Sequence, residues 1–116
     1  MATPLAERHC VACRPGTPAL TRTEADALLP ELRGWAIEAV AGHLQLAKRF
    51  EFKGFLPGVR LVNLMAPIAE AEGHHPDLLL GYSALDVKLW THVAGGLTTN
   101  DFILAARFDA AVPKDF

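Results

Sequence analysis

The chain has 116 residues, of which 51% are hydrophobic and 21% are charged, a balance typical of one globular domain rather than a disordered segment. It carries 11 Lys and Arg against 13 Asp and Glu, and no basic run exceeds Lys48-Arg49, which argues against direct binding to nucleic acid. No apolar stretch approaches the length of a membrane span and the N-terminus lacks a signal pattern, so we expect a cytoplasmic protein without membrane contact.

The first 20 residues have no sustained apolar period and contain the turn-forming residues Pro4, Pro15, Gly16 and Pro18. This composition predicts a flexible N-terminal arm over 1–20 and a folded domain over 21–116. Cys10 and Cys13 form a C-x-x-C motif in the arm. Because a structural zinc site needs four ligands and a redox C-x-x-C opens a helix in a βαβ unit, the motif favours two reduced thiols. Zinc shared between subunits stays an alternative.

The domain opens with a short helix followed by a hairpin. Thr23 and Asp26 have the spacing of a helix cap, and Gly34 ends the helical pattern. Alternating apolar residues from His43 to Phe52 predict a half-buried strand whose hairpin partner is the segment 35–38, with the turn at 41–42. Lys48 falls on the apolar side of that strand, which predicts a bulge or a sheet edge there.

A long helix is predicted from Gly54 to about Glu72. Its expected buried stripe is Phe55, Val59, Val62, Met65 or Ala66, and Ala69. If the helix continues past Glu70, His74 follows that residue at i+4 on the same polar face, although Gly73 is a natural stop.

Two further strands and a last helix complete the pattern. Residues 77–82 and 85–92 alternate as strands, and the second of these puts His92 off its apolar stripe. Thr98 and Asp101 have the spacing of another helix cap. The order α-β-β-α-β-β-α predicts an α+β fold, in which a four-stranded, mainly antiparallel sheet carries three helices on one face.

Three of the five histidines, His74, His75 and His92, are candidates for proton transfer, because imidazole has the side-chain pKa nearest neutrality. A zinc site made of three imidazoles is an alternative. Adjacent histidines on an extended segment point to opposite sides, which makes His74 and His75 poor joint ligands unless the chain turns at Pro76.

The three histidines belong to a longer spaced pattern. Glu70 is followed after three residues by His74-His75-Pro76, after five more by Tyr82, and after nine more by His92. This spacing resembles the signature of the pterin-4a-carbinolamine dehydratases. The likeness spans about 21–109 and includes other recurring pieces of the family, namely Gly34-Trp35, Phe50-Glu51-Phe52-Lys53-Gly54-Phe55, Ala69-Glu70, Thr91-His92, Gly96-Leu97-Thr98 and Asp101. Leu78, Leu79 and Pro67 depart from common members.

The resemblance implies an enzyme that removes water from 4a-hydroxytetrahydrobiopterin, or a related pterin, to give quinonoid dihydropterin in tetrahydrobiopterin recycling. It implies a homodimer or homotetramer without metal or organic cofactor. The catalytic residues carried over by position are His74, His75 and His92, and the substrate-binding or supporting residues are Glu70, Trp35, Thr91 and Asp101. Some relatives are dimerisation partners of transcription factors and others resemble assembly helpers of carbon-fixing enzymes, so a protein-binding role is the main alternative.

Individual roles follow from the chemistry that the dehydration needs. One acid and one base suffice, and we assign these roles to His74 and His92 without deciding which is which. His75 is expected to hold the polar edge of the pterin, and Glu70 either orients His74 or contacts the ring. Trp35 is either core packing at a strand start or an aromatic wall against the pterin.

Overall fold

Four strands form one antiparallel sheet in the computed structural model, which describes residues 3–114 and residue 116. The strands are β1 (Ala36–Val40), β2 (His43–Glu51), β3 (Asp77–Leu80) and β4 (Ala84–Leu89), in the spatial order β1-β2-β4-β3. All three neighbouring pairs are antiparallel. The β1–β2 turn lies at the predicted Ala41-Gly42, where both residues have positive φ, as a tight hairpin turn requires.

Three α-helices alternate with the two hairpins: α1 (Arg22–Leu28), α2 (Leu56–Glu72) and α3 (Thr99–Ala111). In the β2–β4 pair, Leu46 faces Leu89 and Phe50 faces Leu85, so these side chains share one face of the sheet. That face and all three helices contribute to a single buried core. The opposite face carries polar residues such as Arg49 and Asp86. The predicted α+β fold and its element order are confirmed.

The cap of α1 lies two residues earlier than we predicted. Thr21 accepts a hydrogen bond from the Glu24 backbone at 3.1 Å, and the Glu24 carboxylate accepts one from the Thr21 backbone at 2.8 Å. Two free backbone donors are satisfied at once by this pair, which explains why it caps the helix. Asp26 instead forms an ion pair with Arg22 one turn away, so the predicted Thr23 cap was wrong.

The buried stripe of α2 also differs from the prediction at its first turn. Its buried residues are Gly58, Leu61, Met65 and Ala69. Phe55 precedes the helix and is 45% exposed. The helix can approach the sheet at Gly58 because that residue lacks a side chain, and a Cβ there would come within 2.5 Å of both Phe52 and Leu80. The close approach fixes the helix face, and apolar periodicity alone did not reveal it.

Lys48 and Trp35 are linked through one carboxylate at the end of α3. The pairing of β2 with β4 is continuous through Lys48 without a bulge, whereas the pairing with β1 ends at Ala47, so the predicted edge is present and the bulge is not. Lys48 Nζ lies 2.8 Å from Asp109 Oδ1, and the Trp35 indole N–H donates to the same carboxylate at 3.0 Å. The apolar position of Lys48 therefore serves a largely buried ion pair.

Both strands of the second hairpin end earlier than we predicted, at Leu80 and at Leu89. Beyond β4, Thr91 pairs with Gly96, and residues 92–94 form a short 3₁₀ turn between them. The backbone bond from Thr91 N–H to the Gly96 carbonyl, at 2.7 Å, closes this loop. His92 therefore stands at the start of a loop and not within a strand.

Residues 3–20, for which we predicted a flexible arm, lie against the domain. A 3₁₀ turn at Leu5–Glu7 contacts α3, and Leu5 is 2% exposed. At the other end, the Leu20 backbone N–H donates to the Leu97 carbonyl at 2.8 Å. Within the described residues, no helix is long and apolar enough to cross a membrane.

Candidate active site

His74, the first of the three predicted histidines, lies just beyond the C-terminal end of α2. Gly73 adopts a left-handed conformation with φ of 65°, which only glycine adopts readily, and this stops the helix. His74 therefore does not continue the polar face of the helix above Glu70. Its ring is 13% exposed and points Nε2 at Asp101 Oδ1, 2.6 Å away.

Asp101 is fully buried at the first turn of α3 and has both carboxylate oxygens in use. Its Oδ2 accepts hydrogen bonds from the Thr91 hydroxyl and from the Thr98 backbone N–H, both at 2.9 Å. Both hydrogen bonds at Oδ2 are donated to the carboxylate, and its Oδ1 can likewise accept a hydrogen bond from an imidazole N–H. With that N–H at Nε2, a neutral His74 has the lone pair of its Nδ1 available to take up a proton.

His75 has a different partner and a different exposure. Its Nε2 lies 2.7 Å from Glu70 Oε1, and both side chains are largely exposed. Glu70 therefore contacts His75 and not His74, contrary to one of the two roles expected for it. Because an exposed pair of this kind adds little stability, the contact mainly restricts where the His75 ring can point.

His92 is oriented by aromatic stacking. Its ring centroid lies 3.8 Å from that of Trp90, and Trp90 in turn stacks on His43 at 3.7 Å. Trp90 lies between the end of β4 and the loop that begins with His92, so its ring orients the exposed imidazole by stacking. Sequence reasoning did not identify Trp90 as part of the site.

A pocket of about 510 Å³ brings the three histidines together. The residues that line it are Val11, Ala12, Cys13, Glu72, Gly73, His74, His75, Pro76, Asp77, Trp90, Thr91, His92, Val93 and Asn100. Of the residues predicted for the site, Thr91 also lines the pocket, and Asp101 lies directly behind His74. Trp35 is elsewhere, buried against Asp109, which is the core position that we weighed for it.

Residues 11–13 of the N-terminal arm line the pocket, and sequence reasoning did not connect them with the histidines. Glu72 also lines it, with its carboxylate held by the Cys10 backbone N–H at 2.7 Å and by His9 at 2.9 Å. The hydrogen bond from the Cys10 backbone is the larger cause, and the one from His9 the next, that lowers the pKa of Glu72 below its usual value of 4.5. Its charge is therefore maintained beside the histidines at neutral pH.

Among residues 3–114 and 116, no group of three or more His, Cys, Asp and Glu side chains could hold a metal ion. His75 and His92 are directed by Glu70 and Trp90 instead. The site as built offers imidazoles of differing environment around one cavity, which suits proton transfer to and from a bound ligand.

A family model described as pterin 4 alpha carbinolamine dehydratase matches residues 18–111. The chain belongs to this family. The start of the match at 18 lies close to the predicted domain start at 21. The matched region comprises all four strands and all three α-helices. The resemblance inferred from the histidine spacing is thereby confirmed.

Curated relatives and solved structures agree with the family. Proteins from Saccharophagus degradans and Rickettsia bellii, both named "Putative pterin-4-alpha-carbinolamine dehydratase", are 40% and 42% identical to this dehydratase-family chain. The alignments cover 92% and 90% of this chain and 95% and 91% of the relatives. A crystal structure of a transcriptional coactivator/pterin dehydratase from Brucella melitensis is 32% identical, with a TM-score of 0.72 over 82% of this chain and 99% of that one.

A more distant structure shares the fold alone. It is that of a pterin dehydratase-like protein identified as a RuBisCO assembly factor in the alpha-carboxysome. It is 22% identical to this chain, with a TM-score of 0.56 over 68% of this chain and 89% of that one. The fold of the dehydratase family thus occurs in proteins described with different functions.

Proposed function

We propose that this protein dehydrates 4a-hydroxytetrahydrobiopterin, or a closely related 4a-hydroxytetrahydropterin, to quinonoid dihydropterin in tetrahydrobiopterin recycling. The observation that carries the proposal is the presence of His74, His75 and His92 around one pocket, with His74 bonded to the buried Asp101. Membership of the dehydratase family supplies the substrate class. A homodimer or homotetramer, a cytoplasmic location and catalysis without a cofactor belong to the same proposal.

The reaction needs one proton delivered and one removed. The C4a–O bond breaks as a proton reaches the leaving hydroxyl, which departs as water, while the lone pair of ring N5 forms a double bond to C4a. A ring N–H then gives up its proton, so the charges balance. His74 suits the role of base, because a hydrogen bond from its Nε2–H to Asp101 leaves Nδ1 free to accept a proton. His92 has no carboxylate partner among the described contacts and supplies the acid.

His75 and Glu70 have a supporting part in this scheme. His75 lines the pocket, and Glu70 contacts its ring from outside the pocket lining, with both side chains largely exposed. Such a pair can offer both a donor and an acceptor to the polar edge of a pterin. Substitution of His75 should therefore raise KM more than it lowers kcat.

The test is the dehydration rate of freshly generated 4a-hydroxytetrahydropterin, followed by ultraviolet absorbance. Wild type should accelerate the reaction, and His74→Ala and His92→Ala should each lower kcat by roughly two to four orders of magnitude. Thermal melts of the variants establish that they are folded. A loss below about fivefold in both variants would exclude them as the acid and base.

Binding to a protein partner is the second candidate function. The Brucella relative is described as a transcriptional coactivator as well as a dehydratase, and it is 32% identical to this chain. Large apolar side chains on α2 also face outward, with Leu56 68% exposed and Leu64 37% exposed. A folded wild-type protein that fails to accelerate dehydration would favour this function over the enzyme.

A further inference from the structure

The N-terminal arm crosses the region of the histidines. Val11, Ala12 and Cys13 line the same pocket as His74 and His92, although they are more than 60 positions away in the sequence. Val11 is 74% exposed and Ala12 is exposed, so these side chains are not used to fill the core. An exposed apolar side chain at the rim of a pocket is available to a ligand.

Asn100 holds this segment through both functional groups of its amide. Its Oδ1 accepts from the Val11 backbone N–H at 3.0 Å, and its Nδ2 donates to the Val11 carbonyl at 2.6 Å. The same Nδ2 lies 3.3 Å from Cys13 Sγ. Asn100 is 5% exposed, so the two bonds to the backbone are shielded from competing water.

Glu72 and Arg107 fix the segment from the N-terminal side. The Glu72 carboxylate, 7% exposed, accepts from the Cys10 backbone N–H, and the Arg107 guanidinium donates to the Arg8 carbonyl at 2.7 Å. Arg107 Nε also lies 4.0 Å from Glu72 Oε1. The backbone from Arg8 to Val11 is thus bound at three successive points by side chains of α2 and α3.

The anchors are close in sequence to the residues that place His74. Glu72 precedes His74 by two residues, and Asn100 directly precedes Asp101. Docking of the arm and placement of the histidine therefore use the same two short stretches of backbone. The family model begins at residue 18, so the arm segment lies outside the part of the chain that it matches.

We propose that residues 11–13 form a wall of the pocket that contacts the substrate, and that Asn100 and Glu72 are positioning residues that hold this wall. The wall acts on affinity and not on the proton transfers, which belong to the histidines. Val11, Ala12 and Val93 supply apolar contact suited to the carbon side chain of a reduced pterin, whereas its polar ring edge is served by imidazoles. The identity of the ligand rests on the proposed function.

The first experiment uses Cys13 as a reporter in the full-length wild-type protein. Burial, together with the nearby Glu72 charge, raises the pKa of the Cys10 thiol to about 12, so alkylation by iodoacetamide at neutral pH should occur at Cys13. Saturating biopterin should slow the alkylation of Cys13 by about tenfold or more, as followed by mass spectrometry of the peptide. An unchanged rate, with biopterin binding shown separately by calorimetry, would overturn the proposal.

The second experiment fills the pocket from the wall. Ala12→Trp places a large side chain at an exposed position, where it does not disturb the core, and should raise KM for the hydroxypterin about tenfold with kcat within about twofold. Ala27→Trp, an exposed position on α1 outside the pocket, is the matched control and should leave both constants unchanged. Asn100→Ala should shift KM in the same direction. Equal constants for Ala12→Trp and wild type would also overturn the proposal.

The outcomes separate this inference from the proposed function. If biopterin protects Cys13 in a protein without dehydratase activity, the wall is supported and the proposed enzymatic function is contradicted. If dehydratase activity is insensitive to Ala12→Trp and Cys13 is not protected, the enzymatic function is supported and the wall is contradicted.

Discussion

Asp101→Asn should move the imidazole proton of His74 from Nε2 to Nδ1 while keeping the shape of the site. Two donors, the Thr91 hydroxyl and the Thr98 backbone N–H, meet at Asp101 Oδ2. An asparagine satisfies both only with its oxygen at that position, which turns its amide NH₂ toward His74 Nε2. The imidazole must then accept at Nε2, so a neutral ring carries its proton on Nδ1 and that nitrogen can no longer act as a base.

The magnitude follows from the bonds that change. Loss of a general base lowers turnover by roughly 10² to 10⁴-fold. Replacing a charge-assisted hydrogen bond by a neutral one should lower the free energy of unfolding by about 1 kcal/mol, which is the difference between the typical contributions of the two kinds of bond. A typical domain has a stability of about 5–15 kcal/mol, so the variant should stay folded at 25 °C.

The assay combines steady-state dehydration kinetics with ¹H–¹⁵N NMR of the imidazole nitrogens. We expect kcat to fall and the His74 resonances to change from the Nε2–H to the Nδ1–H pattern. Asp86→Asn, on the polar face of the sheet, is the matched control and should leave both unchanged. A folded Asp101→Asn protein with kcat within about fivefold of wild type, or with an unchanged tautomer, would refute the reasoning.

Two further predictions concern stability and pH. Asp109→Ala should lower the free energy of unfolding by about 3 kcal/mol in urea titrations, because it removes the partner of both Lys48 and Trp35. The side chains of Lys48 and Asp109 are only 17% and 12% exposed, so the lysine would be left largely buried without its counter-charge. A loss below about 1 kcal/mol would contradict this expectation. Glu72 has a pKa below 4.5 in the folded state, so its hold on the Cys10 backbone should be present above that pH and lost as pH falls through the lowered value. The Cys10 amide resonance should report this loss as the pH falls below 4.5, and Glu72→Gln should abolish the transition.

The order of helices and strands was readable along the chain, and so was the grouping of the three histidines that the structure brings to one pocket. Strand alternation is a local property of period two, so the apolar stripe of 85–92 could be predicted without knowledge of its partners, and its members Leu85, Val87 and Leu89 are buried. The spacing of His74, His75 and His92 was likewise readable along the chain, and it led to the family that the comparisons confirm.

Helix registers and caps were predicted less well, because neighbouring residues offered nearly equal choices. Thr21 and Thr23 each have an acid three residues later, and only the reciprocal bonds of Thr21 with Glu24 distinguish them. The face of α2 depends on the approach of the helix to Phe52 and Leu80 at Gly58, which is a property of packing and not of periodicity.

Which side chains meet at the site depends on tertiary packing. His74 reaches Asp101 across 27 positions, Trp35 reaches Asp109 across 74, and Asn100 reaches Val11 across 89. These contacts depend on where α3 lies against α2 and the arm, and no local pattern encodes that placement. The sequence therefore pointed to three histidines, whereas packing determined which carboxylate contacts His74 and which part of the arm lines the pocket.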